Sequence, residues 1–189
     1  MTSRTIDDAR LQELLDKQEI QEVIHRRARA ADRKDLALAR SCFHDGGTED
    51  HGGFVGDVDE YLKWSPISDR SGDPHRVMWH FIANTIIDLD GETARVESLV
   101  LATETIERDG EQHDTSVGGR YLDRFERRDG RWAIVERRLV FDWSRVEPPT
   151  VRYWDFLGID PATLPMGRFD GQDPLWQLLP EQRPADPAD

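Results

Sequence analysis

A single cysteine, Cys42, excludes an internal disulfide and leaves no thiol pair for a CxxC zinc or iron–sulfur site. No apolar run approaches the roughly 18 residues of a membrane span. Residues 1–10 (MTSRTIDDAR) lack the charged start and apolar stretch of a secretory signal. Basic residues are few: 25 Lys and Arg stand against 38 Asp and Glu, and a net charge of −13 repels polyanions such as nucleic acid. No GxGxxG or GxxxxGK follows a strand, so no phosphate loop is present. What is there is a 189-residue chain, 37% hydrophobic and 33% charged, long enough to bury a core without staples. These features together predict a cytoplasmic domain acting on a small or uncharged molecule, with no nucleic-acid and no membrane partner.

Spacing divides the chain into three stretches. Residues 8–31 read as a helix, because Leu11, Leu14, Leu15, Ile20, Val23, Ile24, Ala28 and Ala31 recur at three- and four-residue steps. A second short helix fits 35–43, followed by a glycine-rich loop, GGTEDHGGFVG (46–56), and a third helix over 58–64 capped by Asp57. SDRSGDP (68–74) reads as a turn. From residue 75 the period becomes two, and four strands follow, separated by DLDGE, ERDGE and ERRDGR with their Asp-Gly turn signals. Helices first and an antiparallel meander afterwards is an α+β layout. Residues 148–189 hold eight of the ten prolines together with Trp154, Phe156, Phe169, Trp176 and several leucines. That apolar load predicts an extended arm packing on its own domain (1–147) or on a neighbouring subunit, frayed only after about Pro180.

Several residues could carry chemistry. Asp32 continues the Ile20–Ile24–Ala28 stripe at the next step, placing a carboxylate where an apolar side chain is expected. It either enters a site or caps the second helix. His80 shares a strand face with Met78, Ile82, Asn84 and Ile86 in a simple alternation. A histidine in such a row is either a satisfied core residue or, with a carboxylate beside it, a general base tunable near neutral pH. Arg27 falls on the inward face of the first helix, to bind a substrate oxygen or pair with Asp32. Arg137 and Arg138 interrupt the last strand, so one points inward and the other outward, with Asp142 on the Arg138 face. Either arginine is a catalytic electrophile or half of an ion pair inside the layer. His44, Asp45, Asp50 and His51 match no metal-site spacing, so no metal ligand set is expected, and His51 is read as lining a pocket mouth.

With Asp32 closing the first helix, the ordered segments CFHDGGTEDHGGFVG, WHFIANTIIDLDGETARVES and GGRYLDRFERRDGRWAIVERRLVFDW resemble SnoaL-like proteins of the nuclear transport factor 2-like superfamily, over roughly residues 8–146. The resemblance implies a cone-shaped α+β barrel, with N-terminal helices packed into a strongly curved antiparallel sheet around a pocket. Scytalone dehydratase, hexachlorocyclohexane dehydrochlorinase and bile acid 7α-dehydratase belong to that superfamily. They are cofactor-free lyases, commonly trimeric, in which a helix aspartate orients a proton-abstracting strand histidine. By position the aspartate is Asp32 and the histidine His80, and the late-sheet arginine is Arg137 or Arg138. The tyrosine that a bile acid dehydratase carries shortly before its aspartate is Arg27 here.

The combined expectation is a cofactor-independent lyase or isomerase, needing no metal, for a small apolar cyclic or aromatic molecule. His80 and Asp32 form the base, with Arg137 or Arg138, Arg27 and His51 steadying charge and Asn84 and Asp142 lining the site. A homo-oligomer, preferably a trimer, is expected. The alternative is a non-catalytic ligand-binding or accessory protein such as an oxygenase small subunit.

Overall fold

The computed structural model describes residues 7–68, 78–148 and 152–183. Most of the SDRSGDP turn, residues 75–77 of the first long strand, and the arm beyond Arg183 lie outside the described residues. Helix α1 (Asp8–Asp32) begins at Asp7, whose carboxylate accepts the Ala9 N–H at 3.1 Å. Its first turns stand clear of the core: Leu11, Leu14 and Leu15, expected on the buried stripe, are 41%, 64% and 47% exposed. Burial starts at Asp16 and continues through Ile20, Val23, Ile24, Arg27, Ala30 and Ala31. Asp16 marks that boundary because its carboxylate receives the Trp132 indole N–H at 3.0 Å and an Arg127 N–H at 2.9 Å, fastening helix to sheet. Helix α2 (Leu36–Ser41) is capped by Asp35, which accepts the Leu38 N–H at 2.9 Å. Asp32 is therefore not the cap of α2.

The segment expected as a glycine-rich loop mostly pairs as strands. It forms most of β1 (Phe43–Asp50) and β2 (Val55–Asp57), leaving only residues 51–54 as a connection. Glycine content suggested a loop, but a sheet edge supplied from far along the chain satisfies this backbone. β1 pairs in parallel with the last strand (Thr48 opposite Glu136, Glu49 opposite Arg137, Asp50 opposite Arg138) and antiparallel with β2. The short helix α3 (Val58–Trp64) is capped by Asp57 as expected, through the Asp59 N–H at 2.7 Å. Then come the long strands β3 (Met78–Asp90), β4 (Thr93–Arg108), β5 (Glu111–Arg128) and β6 (Arg131–Glu147). The Asp109-Gly110 and Asp129-Gly130 turns both hold two successive residues at positive φ, the conformation that two-residue hairpins favour.

The sheet runs β2-β1-β6-β5-β4-β3, curved but not closed, antiparallel except for β1 against β6. α1 to α3 cover its inner face, and the core between them includes Ile20, Ile24, Phe43, Val96, Phe125, Trp132 and Ile134. This is the α+β architecture expected.

Bulges decide which residues face inward. Between Ile82 and Thr85 the β3 register shifts, so that Ala83 and Asn84 together oppose Leu99. Beyond that bulge Thr85, Ile87 and Leu89 turn inward, while Ile86 is 68% exposed. A second bulge places Asp142 as an extra residue of β6 opposite Gly118-Gly119. Gly119 has no room for a side chain, since a Cβ there would lie 2.3 Å from the Val140 carbonyl oxygen.

The arm carries α4 (Tyr153–Leu157) and α5 (Leu175–Leu178) and packs on the end of α1. Phe169 and Trp176 are buried, with Lys34 Nζ 4.2 Å from the Phe169 ring centroid and the Arg29 guanidinium 5.7 Å from that of Trp176. Arg33 and the buried Asp173 pair at 3.6 Å. Among the described residues no helix is long and apolar enough to cross a membrane.

Gly119→Ala tests the β6 bulge. Overpacking against backbone costs about 1–3 kcal/mol, and thermal melting should fall by several degrees, whereas an unchanged melting temperature would show that β6 yields freely.

Candidate active site

α1 ends where β3 passes, and among the described residues β3 is an edge strand whose outward N–H groups have no neighbouring strand. Asp32 occupies that gap. Its Oδ1 accepts the His80 backbone N–H at 3.0 Å and contacts His80 Nδ1 at 2.7 Å. An oxygen already accepting one N–H acts as acceptor for the ring as well, which assigns the proton of neutral His80 to Nδ1 and leaves a lone pair on Nε2. Both side chains are 11% exposed, so the pair is sheltered from bulk water.

A second polar cluster lies under the β1–α3 connection. Arg27, one helical turn and a half before Asp32, is buried and pairs with the buried Glu49 of β1 at 3.7 Å rather than with Asp32. Glu49 Oε1 lies 3.1 Å from His51 Nδ1, and the Tyr61 hydroxyl lies 3.2 Å from the same nitrogen. Burial opposes the charged form of Glu49, yet the Arg27 charge and the His51 hydrogen bond outweigh it and hold the carboxyl below its ordinary range. Burial pushes the Tyr61 phenol up, and the Glu49 charge adds to that rise. Among the described residues, Arg27 Nε and Glu49 Oε2 are buried without a hydrogen-bond partner.

Sequence reading missed Glu49 and Tyr61. Glu49 was hidden by its glycine-rich surroundings, although strand alternation with Gly47 and His51 was available as a signal. Tyr61 falls on the apolar side of α3 by spacing, and its ring is buried there. Its hydroxyl nevertheless supplies a phenol close to where Arg27 replaces one.

Arg137 is the inward member of the arginine pair. It is 2% exposed and makes a two-pronged bond to Asp123, Nε at 2.8 Å and Nη2 at 2.7 Å, with its guanidinium 4.0 Å from the Tyr121 ring centroid. Burial disfavours its charge, but contact with the Asp123 carboxylate prevails and the guanidinium pKa is raised. Tyr121 is pushed up to about 12 by burial. Arg137 thus takes the ion-pair alternative.

Three expected site residues face the other way. Arg138 lies on the outer face, 57% exposed, and bonds Asp50 at 3.0 Å, because strand alternation gave the inward position to Arg137. Asp142, on that same outer side, bonds Arg120 at 3.0 Å. Asn84 is exposed beside Ala83, because the β3 bulge breaks the alternation that would have aligned it with His80. His44 is a cross-link, its Nε2 2.9 Å from the Glu126 carbonyl and its Nδ1 3.1 Å from Arg131. Among the described residues no group of three or more His, Cys, Asp or Glu side chains is placed to hold a metal ion.

A family model for the SnoaL-like domain matches residues 12–138, and the chain belongs to that family. Solved structures of the same fold include a candidate scytalone dehydratase from Novosphingobium aromaticivorans, at 24% identity and a TM-score of 0.60, covering 74% of this chain and 91% of that one. A hexachlorocyclohexane dehydrochlorinase from Novosphingobium barchaimii is similar at 14% identity and a TM-score of 0.61, covering 72% and 92%. A Kribbella flavida protein aligns at 21% identity and a TM-score of 0.59, covering 70% and 95%. No curated protein matches the chain.

The depressed Glu49 pKa has a consequence for stability. Because the folded pKa lies below the ordinary 4.5, this stabilisation is present above that pH and is lost as pH falls through the folded value. Glu49→Gln should therefore melt lower at neutral pH and show a shallower loss of melting temperature below about pH 4.5. A parallel displacement of the whole curve would contradict an ionised Glu49.

Proposed function

We propose that the protein is a cofactor-independent lyase, or an isomerase sharing the same first step, acting on a small, largely apolar cyclic or aromatic molecule. The observation that carries this reading is the Asp32–His80 pair, with Oδ1 2.7 Å from Nδ1 and Nε2 left as a base. His80 Nε2 removes a carbon-bound proton activated by a neighbouring carbonyl or leaving group. Asp32 holds the ring in place and stabilises the imidazolium that forms. His51 is the group available to steady negative charge, Arg137 being committed to Asp123 and the buried Arg27 to Glu49. Elimination needs only a positioned base and charge stabilisation, and no nucleophile. The kinship with a dehydrochlorinase and a candidate dehydratase supports the class. A binding module of the same fold would have no use for a tautomer-fixed histidine, which favours the enzyme over the accessory reading.

The same proposal extends to assembly as a homo-oligomer, with a trimer favoured. The outer sheet face carries Trp79, Phe81 and Trp143, which are 44%, 53% and 51% exposed. Light scattering should give three times the 21.8 kDa chain mass, and a mass of one chain at micromolar concentration would contradict assembly.

His80→Ala should lower turnover by about 10²–10⁴-fold, and Asp32→Asn by a smaller or similar factor, because the amide keeps the shape but not the charge that stabilises the imidazolium. Both variants should keep most of their melting temperature. If the pair is purely architectural, breaking it costs roughly 3–5 kcal/mol; melting then collapses while the remaining folded fraction turns over normally.

A further inference from the structure

Resting on the elimination reading above, we propose that His51, held by Glu49, donates the proton to the departing oxygen of the substrate. The two histidines are held alike. Glu49 faces His51 Nδ1 at 3.1 Å as Asp32 faces His80 Nδ1 at 2.7 Å. Glu49 is ionised beside Arg27, so it accepts the His51 Nδ1–H, and Tyr61, whose hydroxyl lies near the same nitrogen, stays a neutral phenol. The ring is fixed further by Tyr61 at 5.2 Å between centroids and by the edge-on Phe141 at 6.3 Å. Glu49, Arg27 and Tyr61 are sealed from solvent, whereas the His51 side chain is 24% exposed. A proton entering or leaving this buried cluster passes through His51 Nε2, which has no hydrogen-bond partner among the described residues.

Register places this second dyad opposite the first. Across the inner sheet face one rung reads His80, Ala102, Val117, Ser144, and the adjacent rung reads Ile82, Val100, Gly119, Phe141. His80 stands at the β3 end, and Phe141, with His51 against it, at the β6 end. Three strand spacings of about 4.8 Å separate those ends along the sheet, and curvature shortens the direct path. Between them Ala102 and Gly119 are the small residues of the two rungs. A base at one end and an acid at the other is the arrangement that elimination of a poor leaving group requires.

The step balances. His80 Nε2 takes the proton from the carbon next to a carbonyl, and the C–H electron pair becomes the new C=C bond. The C–O bond breaks with its pair going to oxygen, and His51, entering the step as the imidazolium with its Nδ1–H on Glu49, gives its Nε2 proton to that oxygen so that water leaves. His80 ends protonated and neutral His51 keeps Nδ1–H; His80 releases its proton to solvent and His51 Nε2 takes one up, which restores both for the next turnover.

The test compares β-hydroxycyclohexanone, whose hydroxide needs protonation, with β-acetoxycyclohexanone, whose acetate does not. His51→Asn should lose about 10²–10³-fold on the hydroxyl compound, at least about 30-fold more than on the acetoxy compound. Glu49→Gln should show the same bias, and its histidine nitrogen-15 spectrum should show neutral His51 as a mixture of tautomers where neutral His51 of the unaltered protein carries its proton on Nδ1 alone. His80→Ala should depress both compounds equally. Equal losses on both for His51→Asn, or a neutral wild-type His51 carrying its proton on Nε2 rather than Nδ1, overturns the acid role while leaving the elimination reading intact. Failure of the unaltered protein to turn over either compound counts against that reading and this proposal together.

Discussion

A carboxylate at the end of a helix satisfying an edge strand is the constraint on which the site depends. Among the described residues β3 has no further strand beyond it, so the N–H of His80 needs another acceptor. Asp32 Oδ1 supplies one and in the same contact fixes the imidazole. The bond that docks α1 on the sheet also orients the histidine, so architecture and chemistry share one oxygen. Arg33 and Lys34 follow immediately and receive the arm through Asp173 and Phe169, which places the C-terminal segment against the same end of α1.

Charge burial explains the opposite side of the interior. Arg27 and Glu49 are both nearly inaccessible, and taking two such groups out of water is costly unless they face each other. Their separation of 3.7 Å is loose for an ion pair, and each keeps an unpartnered polar atom. Arg137 and Asp123 by contrast form a close two-pronged pair packed on Tyr121. The tight pair is closed on itself, whereas the loose one also meets His51 through Glu49 Oε1.

The helices, the long strands and the Asp32–His80 partnership were legible because each rests on local periodicity or on one residue out of keeping with its stripe. α3 and its Asp57 cap followed from spacing alone. What escaped is decided by contacts between distant segments. β1 looked like a loop because its pairing partner, β6, lies some ninety residues later in the chain. Asn84 was placed wrongly because a bulge, which leaves no clear mark in Ala83-Asn84, shifts the alternation. The choice between Arg137 and Arg138 needed the β5–β6 register, in which Asp123 stands opposite Arg137. The resemblance to SnoaL-like proteins set the fold from ordered motifs, and the family match over residues 12–138 agrees with it.

The central claim is that His80 is a carbon base oriented by Asp32. Deuterium exchange measures it most directly, without requiring the natural substrate: cyclohexanone in heavy water, its α-protons followed by NMR with and without enzyme. The account predicts enzyme-dependent exchange that falls by at least about 10²-fold in His80→Ala and substantially in Asp32→Asn. Exchange that is absent in the folded wild-type protein, or undiminished in His80→Ala, would contradict it.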